Sequence, residues 1–287
     1  MSSARQALWA AHVAAVLFGM TGVLGALIQA SAWVITFGRA SFAVVAIAVF
    51  AHLVKQPLRR GLTPHALGML LVTGLLLAAH WVTFFVAVKV GGIAVATLGF
   101  ASFPAFIALV DATWFREHIG QREAGLIALV SLGLVLVTPS FNWGHQGTAG
   151  LLWGLGSGVS FGLLAVINRR SRSALSAVQV ALGQNIVVAL AVAPMVWLHG
   201  LQLSPSDWGY LALLGVICTG LSQYLFVYSL GALNARVVGL IIALEPVYAI
   251  AVAWWLFAEQ PSFRMLLGAA LIVLATVVSA LPRRSSA

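Results

Sequence analysis

The sequence predicts an all-α polytopic membrane protein, with ten transmembrane helices arranged as two inverted five-helix repeats and both termini cytoplasmic. Three observations carry this prediction: an overwhelmingly apolar composition, a basic charge that alternates from turn to turn, and a proline-plus-glutamate pattern that recurs 142 residues on. Hydrophobic residues make up 62% of the 287 positions and charged residues 7%, with a mean hydropathy of +1.05. Soluble domains carry roughly 25% charged residues, so a water-soluble fold is excluded. The net charge of +9 would suggest nucleic acid in a soluble protein; here it is read first as a topology signal. The single cysteine, Cys218, lies in an apolar run, so it can form no intrachain disulfide.

A helix needs about 20 apolar residues to cross a bilayer, and ten such runs can be placed at 8–28, 33–54, 66–88, 92–114, 122–139, 149–168, 176–198, 208–230, 234–257 and 263–281. The first is longer than a signal-peptide core of about 7–15 residues, so it is expected to be a retained span. Turn chemistry separates the runs at Gln56-Pro57, Gly61 to Pro64, Gly91-Gly92, Pro139 to Gly147, Ser204 to Asp207 and Gln260 to Ser262. Ser204 and Asp207 are candidate helix caps.

Charge tests the count. With a cytoplasmic N-terminus, that side receives Arg5, Lys55, Arg59, Arg60, Arg116, Arg122, Arg169, Arg170, Arg172, Arg236, Arg283 and Arg284, whereas the other receives Lys89 and Arg264 alone. An error of one span would scramble everything downstream, so the asymmetry supports ten helices with both ends cytoplasmic.

The duplication is read from Ala235 to Glu259, an apolar run with Glu245-Pro246 at its middle. Residues 81–117 align with 223–259 without gaps, matching Pro104 to Pro246 and Glu117 to Glu259 in a chain with only 9 prolines and 6 acidic residues. Five spans per half is odd, so the second half enters the membrane inverted, an arrangement common among secondary transporters. The repeats are expected over 1–140 and 147–284.

The residues Ser204-Pro205-Ser206-Asp207-Trp208, Gly215, Thr219-Gly220, Ala243 to Ala249, Glu259 and Gly268 to Ile272 resemble the EamA-type repeat of the drug/metabolite transporter superfamily. Phe18-Gly19, Arg39, Phe103-Pro104, Glu117 and Gly125 to Ile127 echo it in the first half. Overall the chain is most similar to the YddG-type exporters of aromatic amino acids. The resemblance implies ten helices around a central cavity open to one side at a time, and export of small metabolites across a bacterial inner membrane.

Candidate site residues are those whose presence in a membrane needs a reason. Arg39 lies six residues into its span, roughly 9 Å deep at 1.5 Å per residue; an arginine at a helix centre costs about 2.5–3.5 kcal/mol. It either holds a substrate carboxylate or snorkels as scaffold. Glu245, deep in a span, is a proton or substrate-amine site, or else an acceptor beside the Pro246 break. His80, Trp81 and Phe84 share a helix face, and the repeat sets Gln223 opposite; with Tyr248 they complete the proposed substrate-binding set. Gly19, Gly154 and Gly158, together with Gly22, Gly25, Gly156 and Gly162, are small-residue contacts for sliding helices, and Pro104 and Pro246 mark short helices that could gate.

Rival classes fail on motif. Ser157 follows Leu155 where a G-x-S nucleophile needs glycine, and neither H-E-x-x-H nor a P-loop occurs, so no enzyme is expected. No filter-like stretch suggests a channel. The first span has no acid, unlike the small multidrug exporters, so export of cationic or hydrophobic drugs ranks second to export of amino acids, aromatic or large apolar ones preferred. The expected partners are a small-molecule substrate and the lipid bilayer, with no cofactor, no metal and no nucleic acid, and a monomer as the unit.

Overall fold

The computed structural model describes residues 2–116, 120–137, 145–170, 175–230, 233, 238, 241, 242, 244–258 and 260–280. Glu117, Arg172, Arg236, Ala243, Glu259, Arg283 and Arg284 lie outside them. The described residues form α1 (Ser2–Leu27), α2 (Ala32–Leu53), α3 (Pro64–Phe100), α4 (Phe103–Trp114), α5 (Gln121–Val137), α6 (Gln146–Arg170), α7 (Ala177–His199), α8 (Pro205–Ala212), a π-helical segment (Leu213–Leu221), α9 (Ser222–Leu230), α10 (Glu245–Phe257) and α11 (Phe263–Ala280). Six helical stretches are long and apolar enough to cross a membrane and four shorter apolar ones accompany them. The chain is a multi-pass membrane protein.

Local chemistry starts these helices where the sequence supplies caps. Ser31 accepts from Val34 N and Thr63 from Ala66 N, with Pro64 in the first turn of α3, where its missing N–H costs nothing. Ser176 with Gln179 and Ser204 with Asp207 build capping boxes on α7 and α8. Asp207 is thus the third residue of its helix, answering Ser204 at the cap. Gln179 Nε2 also donates to Leu58 O and Arg60 O at 2.9 and 2.8 Å, holding the α2–α3 turn against α7.

Three expected spans, the fourth, the eighth and the ninth, are subdivided. In place of a turn at Gly91-Gly92, helix continues on both sides of one residue, Gly92, at φ 82 and ψ 168; a side chain there would strain the backbone. Helix resumes to Phe100 and stops at Ala101-Ser102 before α4. The expected eighth span is α, π and α in series, because Leu213–Leu221 follows the wider π register. Pro104 and Pro246 each occupy the second position of a new helix, after Ser102 (φ −73, ψ −8) and Leu244 (φ −83, ψ −5). Neither proline interrupts a hydrogen-bond ladder; each starts one, in the first turn where its ring is tolerated.

α6 packs along α3 and α4, α7 on α2 and α3, and α1 between α3, α9, α10 and the π segment. The main core gathers Leu24, Ile35, Trp81, Phe85, Leu214 and Ala249. The α3–α6 contact is made by backbone. A Cβ on Gly150 would sit 2.4 Å from Gly91 Cα, one on Gly154 3.1 Å from Ala96 O, one on Gly158 2.9 Å from Ser102 Oγ, and one on Gly162 3.2 Å from Phe106 Cβ. These four glycines recur every fourth residue as one ridge, whereas Gly156, grouped with them on the sequence, has only Thr83 at 3.9 Å.

Where α1 ends, here the far end of the bundle, its chain is clasped by two charges. Lys89 Nζ donates to Ala26 O and Ile28 O, satisfying carbonyls a helix C-terminus leaves open. Asp207, buried, accepts from Gln29 N at 2.8 Å through Oδ1 and from Ser204 through Oδ2.

Leucine at Gly154 or Gly158 is expected to cost about 1–3 kcal/mol or more by overpacking and to lower the thermal midpoint of the detergent-solubilised protein. Leucine at Gly156 leaves that midpoint nearly unchanged. Fluorescence-detected size exclusion after heating measures all three, and equal losses would contradict the ridge.

Candidate functional site

Arg39 is 5% exposed, so its cation must be satisfied inside the protein. Its Nε–H donates to Thr219 Oγ1 at 2.8 Å, and the Thr219 hydroxyl donates onward to Leu214 O at 2.9 Å, five residues back in the π segment. The guanidinium carbon stands 4.0 Å from the centre of the Trp81 ring and 6.0 Å from that of Phe85, within the range where a cation is drawn to an aromatic face. Gly215 allows this approach: a Cβ there would lie 2.6 Å from Arg39 O and 2.5 Å from Phe42 Cβ.

No acid among the described residues forms an ion pair with Arg39. Glu245 attracts it at longer range, and the Glu245 side chain, half-buried at the start of α10, makes no hydrogen bond to a described residue. Gly19 lets α1 lie directly on α10, since its Cβ position is 3.0 Å from Glu245 O and 3.1 Å from Ala249 N. Arg39 and Glu245 therefore share one interior without touching.

Beside them is an aromatic nest. His80 is buried and its Nδ1 shares a 2.7 Å hydrogen bond with Ser157 Oγ, tying α3 to α6. Around its ring are Phe100 at 4.9 Å, Phe161 at 5.1 Å and Phe84 at 6.4 Å, and Phe103 stacks on Phe100 at 5.3 Å. The nest straddles the break at Ala101-Ser102, so Pro104 positions Phe103 rather than contributing a surface of its own.

The structure thus brings Arg39, Trp81, His80 and Phe84 together, with Glu245 across from Arg39. It separates the other two candidates. Gln223 does not meet His80; it lines a cavity with Asn168 and Gln184 nearer the end at which α1 begins. Tyr248 shares a 3.3 Å hydrogen bond with His12 and lines a groove of about 540 Å³ along α1. Sequence reasoning missed Thr219 as the partner of Arg39, along with Phe85, Phe100 and Phe161. Two turns of π helix leave no periodicity signal, and phenylalanines in an apolar chain do not stand out.

The profile of the EamA-like transporter family matches this sequence twice, over residues 5–138 and 148–281. The chain belongs to that family. Among its relatives are two uncharacterised transporters of Bacillus subtilis (strain 168): YwfM, 26% identical with 95% of this chain and 93% of that protein covered, and YxxF, 23% identical with 76% and 71% covered. The pseudopaline exporter CntI of Pseudomonas aeruginosa (strain UCBPP-PA14) is 24% identical, with 73% of each chain covered. A protein of known crystal structure shares the fold at a TM-score of 0.67 and 19% identity, over 95% of this EamA-like transporter and 96% of that chain.

Removing the Thr219 hydroxyl should leave the buried Nε–H of Arg39 without its acceptor, at a cost of about 1–3 kcal/mol. Thr219→Val is therefore expected to lower the thermal midpoint of this transporter and Thr219→Ser to preserve it. In the Arg39→Met background the valine substitution should cost far less, and additive losses in that double-mutant cycle would show that the pair is not coupled.

Proposed function

We propose that this transporter is a ten-helix exporter of amino acids, preferring aromatic or large apolar ones, built as two inverted five-helix repeats and working by alternating access in a bacterial cytoplasmic membrane. The observation that carries the reading is the separated pair of Arg39 and Glu245 beside an aromatic nest. Arg39 retains guanidinium N–H groups beyond the one given to Thr219, and these suit a carboxylate. Glu245 suits an ammonium, and Phe84, Phe100 and Phe161 suit an apolar side chain. A zwitterion answers both charges at once, so its transfer into the protein leaves no charge unpaired.

Topology supports the direction. The exposed basic residues Lys55, Arg59 and Arg60 sit in the turn between α2 and α3, at the end where α1 begins, and a basic turn favours the cytoplasmic side. The cavity beside Gln223 lies toward that same end, while the Lys89 and Asp207 clasp holds the other. Such an arrangement admits solute from the cytoplasm. A relative that exports pseudopaline, as its name states, agrees with outward transport. A cationic drug is the weaker fit, because Arg39 would repel it.

Counterflow in proteoliposomes across pH tests substrate and coupling together. Labelled phenylalanine, tryptophan or leucine should exchange; failure of all three with movement of a quaternary ammonium dye would replace this reading by drug export. Arg39→Lys loses the planar stack and fork, and is expected to lower kcat/KM for phenylalanine by roughly tenfold to a hundredfold, the equivalent of about 1.5–3 kcal/mol. Glu245→Gln should impair exchange of phenylalanine as well, and undiminished exchange would reduce Glu245 to a scaffold residue.

A further inference from the structure

Below the Arg39 nest, toward the end where α1 begins, a cavity of about 460 Å³ opens between the last turns of α2 and α6, the first turns of α3 and α7, and α9. That volume suits a single small solute. Among the described residues its lining contains no Asp, Glu, Lys or Arg; the polar side chains are the amides Asn168, Gln184 and Gln223 and the phenol of Tyr224. Phe50 meets Tyr224 edge to face at 5.1 Å, giving one aromatic wall.

The amides are not equally occupied. Gln184 Nε2 donates to Asn168 Oδ1 at 3.2 Å, so those two hold each other. Gln223 Oε1 is buried and has no hydrogen-bond partner, a state that ordinarily costs about 1–3 kcal/mol. Rotation about the last side-chain torsion, which is soft for glutamine, exchanges Oε1 with Nε2 and would turn that carbonyl toward the cavity. A ligand donating an N–H there gives the carbonyl the partner it lacks, and one without a donor does not.

We propose that this chamber is a separate binding subsite, in which the Gln223 carbonyl reads the N–H donors of a small solute carrying no net charge, before the solute reaches Arg39 and Glu245. The described residues of the wall supply no counter-charge, so the class that fits them is zwitterions and neutral primary amides. This rests on the export reading for its place in a transport path, but the chamber's chemistry is independent of Arg39.

Binding to the purified protein tests it, with phenylalanine compared to 3-phenylpropanoate, which keeps the skeleton and lacks the amino group. The wild type should discriminate by tenfold or more. Gln223→Met, close in shape and without the amide, should bring the ratio near unity by weakening phenylalanine alone, and Gln223→Glu, which keeps an acceptor, should retain it. An unchanged ratio in Gln223→Met overturns the subsite. If the wild type binds no amino acid, the amino-acid reading fails by itself, and 3-phenylpropanamide is compared with its N,N-dimethyl derivative. A preference for the primary amide that disappears in Gln223→Met supports the subsite; no preference, or one that survives the substitution, overturns it.

Discussion

Everything in the interior is arranged around one buried positive charge. A guanidinium taken out of water into an apolar span must recover its hydration from fixed groups, and here Trp81 supplies a ring face and Thr219 a hydroxyl. The hydroxyl is aimed by the π register of Leu213–Leu221, which lets its proton reach Leu214 O while its lone pair accepts from Arg39. π turns are rare and are concentrated at functional places. The geometry shows what this one does: an α register would set Thr219 and Leu214 on different faces. Gly215 and Gly38 then let the segment and its neighbours close on α2.

Close backbone contact is the second constraint. Lipid offers helices little hydrophobic incentive to associate, so small residues that admit close van der Waals packing take that role. The ridge at Gly150, Gly154, Gly158 and Gly162 seats α6 against α3 and α4 on both sides of the break at Ala101-Ser102. Because Ser157 lies on this same helix, the ridge also fixes the depth at which His80 finds its partner. Packing and site are set by the same spacing.

Much of this was legible in the amino acids, and the failures have physical causes. Arg39 and Glu245 announced themselves because ionised groups in a membrane are expensive. Trp81 and Phe84 followed from helical spacing. The pairing of His80 with Gln223 did not, because residues related by an internal repeat occupy corresponding places in two units and need not touch. Gly156 was grouped with its neighbours by composition, where contact geometry selects every fourth residue and so leaves it out. Pro104 and Pro246 were legible as marks of short helices, and the chain uses both as beginnings. Thr219 stood in a motif with no role attached, since nothing in a sequence announces a π turn.

The clasp at the far end carries a thermodynamic consequence. Lys89 and Asp207 are joined to α1 and to the Gln29 turn by charge-assisted hydrogen bonds; the buried Asp207 contributes about 1.5–3 kcal/mol and the exposed Lys89 about 1 kcal/mol or less. Releasing both would leave the separated form at on the order of one molecule in a hundred, and a two-state equilibrium so biased moves only under differential affinity. On the alternating-access reading proposed above, the solute would have to bind the opposite conformation more tightly than the one it enters. On that reading the far-end contact would also oppose opening in the solute's absence, which makes it a barrier to leakage as much as to transport.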